Sequence, residues 1–318
     1  MKIWITGIEG VLGSALANMF VNKGETVYGN DIVRPTEIWR LKNLGIENKV
    51  TYMWFSTTDI PVRFLKDMDF IIDCGLAVPD RDFGIDNAFY TVNGNILPSL
   101  HLLEQLRQMD HKPILIYPSS FNSLYGYGNM VYTDKMPSNP NSIYGWSKAS
   151  VENLILTYHR SYGLPTIVTR VGSAYGPRMR STELVGKLII YALQNKDFTL
   201  RSPQAKRLWT FSEDVLEFYE TLIYRTDFEK YIGTILHCAG NEKNEIISNI
   251  DLANIIKKLT KSNFKIIEGF YEQGELIADK PIEFNIKYSD FNWKPAHTLV
   301  QGLNKTIDWF KNNMERFR

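Results

Sequence analysis

Little in this sequence suggests a disulfide framework, a membrane span or a polyanion as partner. Only two cysteines occur in 318 residues, Cys74 and Cys238. Each lies in an apolar stretch, where a buried free thiol is the expectation. No apolar run reaches the roughly 18 residues that a membrane span needs. An excess of charge of one sign is also lacking: 36 Lys and Arg balance 35 Asp and Glu, leaving a net charge of +1. That balance gives no electrostatic reason to expect nucleic acid or an anionic membrane as partner. Basic tracts such as IIKKLTKSNFK are short and read as solvated helix faces. Histidine is scarce. His101, His111, His159, His237 and His297 show no metal-ligand spacing, so no metal centre is expected. The N-terminal MKIWITG runs straight into a strand and a glycine turn without the apolar h-region of a signal peptide. The expectation is a soluble protein of a reducing compartment, the cytoplasm. Internal repeats, low-complexity segments and long linkers are absent.

What the sequence does contain is a regular alternation. Apolar residues make up 44% of the chain, enough for a sizeable core. KIWIT (2–6), TVYGND (26–31), VTYMWF (50–55), DFIIDCG (69–75), PILIYPS (113–119) and PTIVTRVG (165–172) read as strands. Several are continuously apolar, as buried parallel strands are. Between them, 11–23, 87–109 and 142–162 have helical spacing; Val151, Leu154, Ile155 and Tyr158 fall on one stripe. Strand and helix alternating in this way predict a doubly wound parallel sheet over 1–178. Beyond it, helices near 183–195, 213–225 and 249–260, a strand at 233–240 and an amphipathic C-terminal helix predict a smaller mixed α/β domain over 179–318. Parts of 213–240 are expected to pack back on the sheet.

TGIEGVLGSAL places Gly7, Gly10 and Gly13 after the first strand and at a helix start. A tight turn there lets backbone approach a diphosphate resting on the helix N-terminus. The spacing is G-x-x-G-x-x-G, and a purely structural turn is the alternative. Asp31 stands at the end of the second strand, where a carboxylate can accept from both ribose hydroxyls and repel a 2′-phosphate. It favours NAD over NADP, with Arg34 nearby and a plain turn residue as the alternative. Tyr144 and Lys148 are one helical turn apart and share a face. A free tyrosine, with a pKa near ~10, is a poor base at neutral pH. A neighbouring ammonium favours its phenolate, which can then take or return a hydroxyl proton while hydride moves.

At this point the chain resembles the extended short-chain dehydrogenase/reductase superfamily, and in particular its NAD-dependent sugar-nucleotide epimerases and dehydratases. The resemblance runs almost end to end. TGIEGVLGS is similar to the family's TGgaGfiGs, SIYGWSKASVE to xxYgxSKxxxE, TRVGSAYGPR to lRxxNvyGPr, RLWTFSEDV to RdfxyVxDv and FNWKPAHTLVQGL to lGWxPxxxleeGl. TTDI, with Asp59 and Ile60, resembles its adenine-contacting pair, and TVNGN, with Asn93, resembles its NvxGt helix start. The resemblance implies a Rossmann domain, NAD as cofactor, a C-terminal nucleotide-sugar domain and a homodimer formed through the helices at 87–109 and 142–162. It implies Arg207 as a diphosphate ligand, with a structural ion pair as the alternative. Ser173 stands where the family has Asn, and Lys280 is the nearest cation to a second diphosphate position.

One departure concerns the catalytic hydroxyl. Counting back from Gly126, the family's Ser or Thr position holds Phe121; Ser120 is one residue earlier. Either the loop carries an extra residue and Ser120 is the catalytic hydroxyl, or Phe121 replaces it. The loop 126–132 could face substrate or be plain surface. The expected activity is a sugar-nucleotide epimerase, most simply a 4-epimerase; SFNSLYG supplies none of the carboxylates that dehydration commonly uses. The alternatives are an NAD-dependent dehydrogenase of a small hydroxy compound or keto-sugar, and a non-catalytic cofactor-binding regulator or scaffold.

Overall fold

The computed structural model describes residues 1–77, 88–121, 123–124, 132–133, 136–243, 246–270, 284–285 and 291–317. In chain order the elements begin β1 (Lys2–Thr6), α1 (Val11–Asn22), β2 (Thr26–Asp31), α2 (Arg40–Asn43), β3 (Val50–Trp54), β4 (Phe70–Asp73), α3 (Ala88–Thr91), one π-helical turn (Val92–Ile96), α4 (Leu97–Arg107) and β5 (Ile114–Ser120). They continue β6 (Tyr132–Thr133), α5 (Ile143–Tyr162), β7 (Thr166–Val171), β8 (Ser173–Tyr175), α6 (Leu184–Leu193), β9 (Phe198–Leu200), β10 (Lys206–Phe211) and α7 (Ser212–Ile223). The last are β11 (Ile235–Cys238), β12 (Ile246–Ser248), α8 (Asn249–Thr260), β13 (Ile266–Glu268), β14 (Phe284–Asn285) and α9 (Leu299–Asn312).

Seven strands form one sheet in the order β11-β7-β5-β4-β1-β2-β3. The pairings of β1 with β2 and β4, of β2 with β3, and of β4 with β5 are all parallel. The chain winds outward from β1 to β3, then restarts beside β1 with β4 and winds the other way. A crevice therefore opens at the C-terminal ends of β1 and β4, the switch point where doubly wound sheets bind ligands. Continuous apolar character on the central strands is explained by burial on both faces: β4 is buried at every residue, and Ile3, Trp4 and Ile5 are fully buried. Trp4, Leu102, Leu103, Leu106, Val151 and Ile155 share one core cluster, in which α4 and α5 cover the sheet.

Two compact units divide the chain. The first comprises 1–123, 143–170 and 222–236; the second comprises 124–142, 171–221 and 237–318. They interleave in sequence: 124–142 belongs with the second unit, and 222–236, within the 213–240 stretch expected to pack back on the sheet, belongs with the first. The second unit holds the three-stranded sheet β12-β10-β8 and the pair β13-β9. Its core gathers Val185, Leu188 and Ile189 of α6, Leu252 and Ile256 of α8, and Leu303, Ile307 and Phe310 of α9 around Tyr175, Trp209 and Phe211. Asp214, fully buried, accepts from the backbone N–H of Ala296 and His297 at 3.0 and 3.3 Å and lies 2.8 Å from His297 Nδ1. It thereby fastens RLWTFSEDV to FNWKPAHTLVQGL within this unit.

Candidate active site

The glycine run is built by close backbone approach. Gly7 has φ +61°, and a Cβ there would lie 2.9 Å from the Cys74 carbonyl oxygen; a Cβ on Gly13 would lie 2.2 Å from the Gly7 oxygen. Only glycine fits both places. Gly10 N–H closes the turn onto Gly7 O at 2.8 Å and caps α1 without a side-chain bond, and the first turn of α1 carries no acidic residue. The amides of that turn thus meet no competing carboxylate. These residues fit a dinucleotide diphosphate, with Asp31 at the end of the neighbouring strand β2 for the ribose. Asp31 takes the N–H of Glu9 on Oδ2 at 3.0 Å and that of Val33 on Oδ1 at 3.2 Å. Ile60 is buried and Asp59 exposed; the Ile60 carbonyl accepts from Gln105 Nε2 at 2.9 Å.

Three residues one turn apart line one face of α5: Tyr144, Lys148 and Glu152. They grade from partly exposed to buried. Lys148, 4% exposed, donates from Nζ to the Pro118 carbonyl at 2.7 Å and lies 4.4 Å from the Tyr117 ring centroid. Burial draws its ammonium down to about 8, while Asp73, Cys74 and Glu152 pull the other way. Tyr117 is buried and its phenol is pushed well above the ordinary value, first by burial and then by Asp73 and Tyr144. Glu152 accepts from Ser119 Oγ at 2.5 Å and pairs with Arg170 Nη2 at 2.8 Å. Both charges of that pair are buried, at 2% and 1% exposure. Helix α5 is therefore fixed to the end of β5 by Lys148 on Pro118 and by Glu152 on Ser119.

The strand end treats the two candidates for the serine position, Ser120 and Phe121, and their neighbour Ser119 differently. Ser119 points into the core onto Glu152, Phe121 is 2% exposed, and Ser120 between them is partly exposed. Ser123, fully buried, donates to the Ser120 carbonyl at 2.8 Å.

Asn93 is exposed, whereas Asn95, two residues on in the π-helical turn, is buried. Asn95 Oδ1 accepts from Ala77 N–H at 2.8 Å, and its Nδ2 donates to Ser147 Oγ at 3.1 Å. Ser147 Oγ in turn donates to the Tyr144 carbonyl at 2.8 Å. The sequence signal for Asn95 is the helix anomaly itself: Pro98 lacks an N–H for the carbonyl four residues back, which favours a changed bonding pattern there. Asp73 also escapes the sequence pattern. Buried at 2% exposure, it accepts from Thr6 Oγ1 at 2.6 Å and Ser99 Oγ at 2.7 Å. Burial raises its pKa, opposed by those two hydroxyls and by Lys148.

In the second unit, Arg207 of β10 and Ser173 of β8 stand on adjacent parallel strands, with Ser173 paired in register to Trp209. The Arg207 guanidinium lies 5.9 Å from the Trp209 ring centroid. Lys280, Gly126 and the loop 126–131 lie outside the described residues. Among the described residues no group of His, Cys, Asp and Glu could hold a metal ion, and no helix is long and apolar enough to cross a membrane.

The family model described as NAD dependent epimerase/dehydratase family matches residues 3–256. The chain belongs to this family. NAD is accordingly its cofactor, and the glycine cradle and Asp31 fit it. A trifunctional UDP-glucose 4,6-dehydratase/UDP-4-keto-6-deoxy-D-glucose 3,5-epimerase/UDP-4-keto-L-rhamnose-reductase of Arabidopsis thaliana is 27% identical over 334 residues, covering 99% of this chain and 47% of that protein. This chain thus spans about half the length of that relative. The dTDP-glucose 4,6-dehydratase of Neisseria meningitidis serogroup B is 25% identical over 340 residues, covering 98% of this chain and 94% of that one. In fold, the chain is similar to UDP-glucuronic acid 4-epimerase from Bacillus cereus, solved with UDP-glucuronic acid and NAD, at TM-score 0.86 and 22% identity over 98% of this chain and 100% of that one. Epimerases and dehydratases of nucleotide sugars both stand among the proteins this family member is similar to.

Proposed function

We propose that the chain is a nucleotide-sugar epimerase, most simply a 4-epimerase, with Tyr144 as proton acceptor and donor. The observation that carries this reading is the α5 face fixed against the end of β5. Bound NAD supplies the hydride acceptor and donor. Tyr144 takes the proton of the sugar hydroxyl; the buried Lys148 ammonium favours the phenolate that can do so. Ser120, at the open end of β5, holds the same sugar oxygen in line. Arg207 offers a planar fork to the diphosphate, with Ser173 on the next strand and Lys280 as further substrate contacts. Gly7, Gly10, Gly13, Asp31, Asp59 and Ile60 hold the cofactor. Inversion needs both faces of one carbon presented in turn, and no proton beyond that of the hydroxyl. The two carboxylates that act on Lys148, Asp73 and Glu152, are buried and hydrogen-bonded inside the first unit. Neither is available as the additional acid or base that dehydration uses, and this supports epimerisation.

The second reading is 4,6-dehydration, favoured by the names of the relatives just given. Incubation with NAD and UDP-, dTDP-, GDP- and CDP-sugars in deuterated water separates the two. Epimerisation returns the hydrogen it removed, so the product is a stereoisomer with no deuterium on carbon. A dehydrated keto-sugar carrying solvent deuterium would replace the epimerase reading by the second one.

A further inference from the structure

Glu9 stands inside the glycine run, between Gly7 and Gly10, where the turn itself asks only for a small residue. Its carboxylate is nevertheless buried, with 2% of the residue exposed. Oε1 accepts from the backbone N–H of Trp39 and of Arg40, each at 2.6 Å, and Oε2 accepts from Leu41 at 3.2 Å. Its own N–H donates to Asp31 Oδ2 at 3.0 Å, and its carbonyl accepts from Arg40 Nη1 at 3.3 Å. The Arg40 guanidinium lies 4.3 Å from the centroid of the Trp39 ring. One residue thus joins the glycine run, the end of β2 and the start of α2.

None of the side-chain bonds is needed to close the turn, which Gly10 N–H on Gly7 O already does. They act instead on the segment after β2. Two carboxylates, Asp31 and Glu9, face that segment together. Both act on Tyr52, whose phenol is raised above its ordinary value first by burial, then by Asp31, then by Glu9. Tyr52 in turn donates to the Val33 carbonyl, closing the ring of contacts around Asp31. Arg40 is engaged by the Glu9 carbonyl and the Trp39 ring.

We propose that Glu9 positions the adenosine half of the cofactor and sets its specificity: its backbone N–H fixes Asp31 for the ribose, and its carboxylate, holding residues 39–41, adds a second negative charge beside Asp31 that disfavours a 2′-phosphate. The proposal rests on the assignment of residues 7–13 and Asp31 to the cofactor, and the unchanged protein tests that assignment separately. The full-length chain is titrated by calorimetry with NADH, NADPH, ADP, ADP bearing a 2′-phosphate, and nicotinamide mononucleotide. The unchanged protein binds ADP in competition with NADH; failure to do so removes the site assignment and the proposal with it.

Glu9→Gln keeps the side-chain volume and removes the charge. By weakening the charged hydrogen bonds that hold residues 39–41 beside Asp31, it lowers NADH and ADP affinity by about 10-fold and leaves nicotinamide mononucleotide unchanged. The preference for NADH over NADPH narrows by a similar factor. Glu9→Asp retains the charge but withdraws it by one methylene, so it loses ADP affinity while still discriminating against NADPH. A folded Glu9→Gln protein with an unchanged NADH to NADPH ratio overturns the proposal. So does equal weakening of every ligand, the nicotinamide half included, since that is the mark of a merely structural residue.

Discussion

At the scale of single residues, the proposal for the catalytic hydroxyl rests on the strand end of β5. Ser119 is held by Glu152 and Phe121 is buried at 2% exposure, while Ser120 is partly exposed, which supports the proposal that Ser120 meets the substrate. Ser120→Ala is expected to lower kcat by roughly 10- to 1000-fold, as for loss of a positioned polar group, and Tyr144→Phe to cost at least as much. Phe121→Ser gives the contrasting result. It exchanges a buried ring for a hydroxyl and lowers stability by about 3–5 kcal/mol without raising activity. Urea melts and steady-state rates on the three variants check this; a gain in rate for Phe121→Ser would return the catalytic place to residue 121. The glycine turn and the helix face shared by Tyr144 and Lys148 are legible in the sequence because each is tied to a fixed spacing. Glu9, Asp73 and Asn95 are not, because their roles depend on partners far along the chain: Glu9 meets 39–41, and Asp73 meets Thr6 and Ser99. No local pattern declares such a partner.

At the scale of elements, the face of α5 supports two expectations. The Glu152–Arg170 pair is buried on both sides, so removing either charge alone leaves the other unmatched. Glu152→Gln or Arg170→Met is expected to cost about 3–5 kcal/mol in chemical denaturation. Lys148 gives a pH dependence. Folded, it holds its proton only up to about 8, whereas the unfolded chain holds it to the ordinary lysine value of 10.5. Between those values the unfolded state binds the extra proton, so this group's contribution to stability rises with pH across the window and is lost as pH falls through about 8. Cys74, raised by burial, acts in the opposite sense above its ordinary range. The lysine contribution is therefore read as the difference in urea midpoint between the cofactor-free protein and Lys148→Met; a difference that stays flat between pH 8 and 10.5 counts against the assigned environment. The long elements fall where periodicity puts them: β1, β2 and α5 follow KIWIT, TVYGND and 142–162 within a residue, since burial on both faces of the sheet, or on one face of a long helix, writes a strong pattern. β8, β9, β12 and β13 have three residues each, too few for a period of two to stand out. The expected helix 87–109 runs over 88–107 as α3, the π-helical turn and α4; in the π-helical turn a Cβ on Gly94 would lie 2.2 Å from Ala77 Cβ.

For the whole molecule, the remaining expectation is assembly. Phe89 is 85% exposed, Tyr90 49%, Leu97 39% and Trp146 43%. All four lie on the helical segments α3, α4 and α5, and four large apolar side chains on these segments call for cover. A homodimer is expected by light scattering at micromolar concentration, and Trp146→Glu should shift it toward monomer with the fold retained. A monomeric wild-type protein would remove this assignment while leaving the cofactor site untouched.

The bond from Asp214 to residues 296 and 297 has a consequence for biosynthesis. Its backbone donors lie 82 and 83 residues further along the chain. A nascent chain that has reached residue 290 has made every strand of the large sheet, yet Asp214 still lacks those two amides. Leu303, Ile307 and Phe310, which complete the core of the second unit, are also still to come. The cofactor half can thus acquire its sheet during synthesis, while the second unit closes its core only near the end of translation. Partners this distant in sequence make for slow closure and a longer exposure of apolar surface. Chaperone dependence during expression should therefore follow residues 296–310 far more than the glycine run at the other end of the chain.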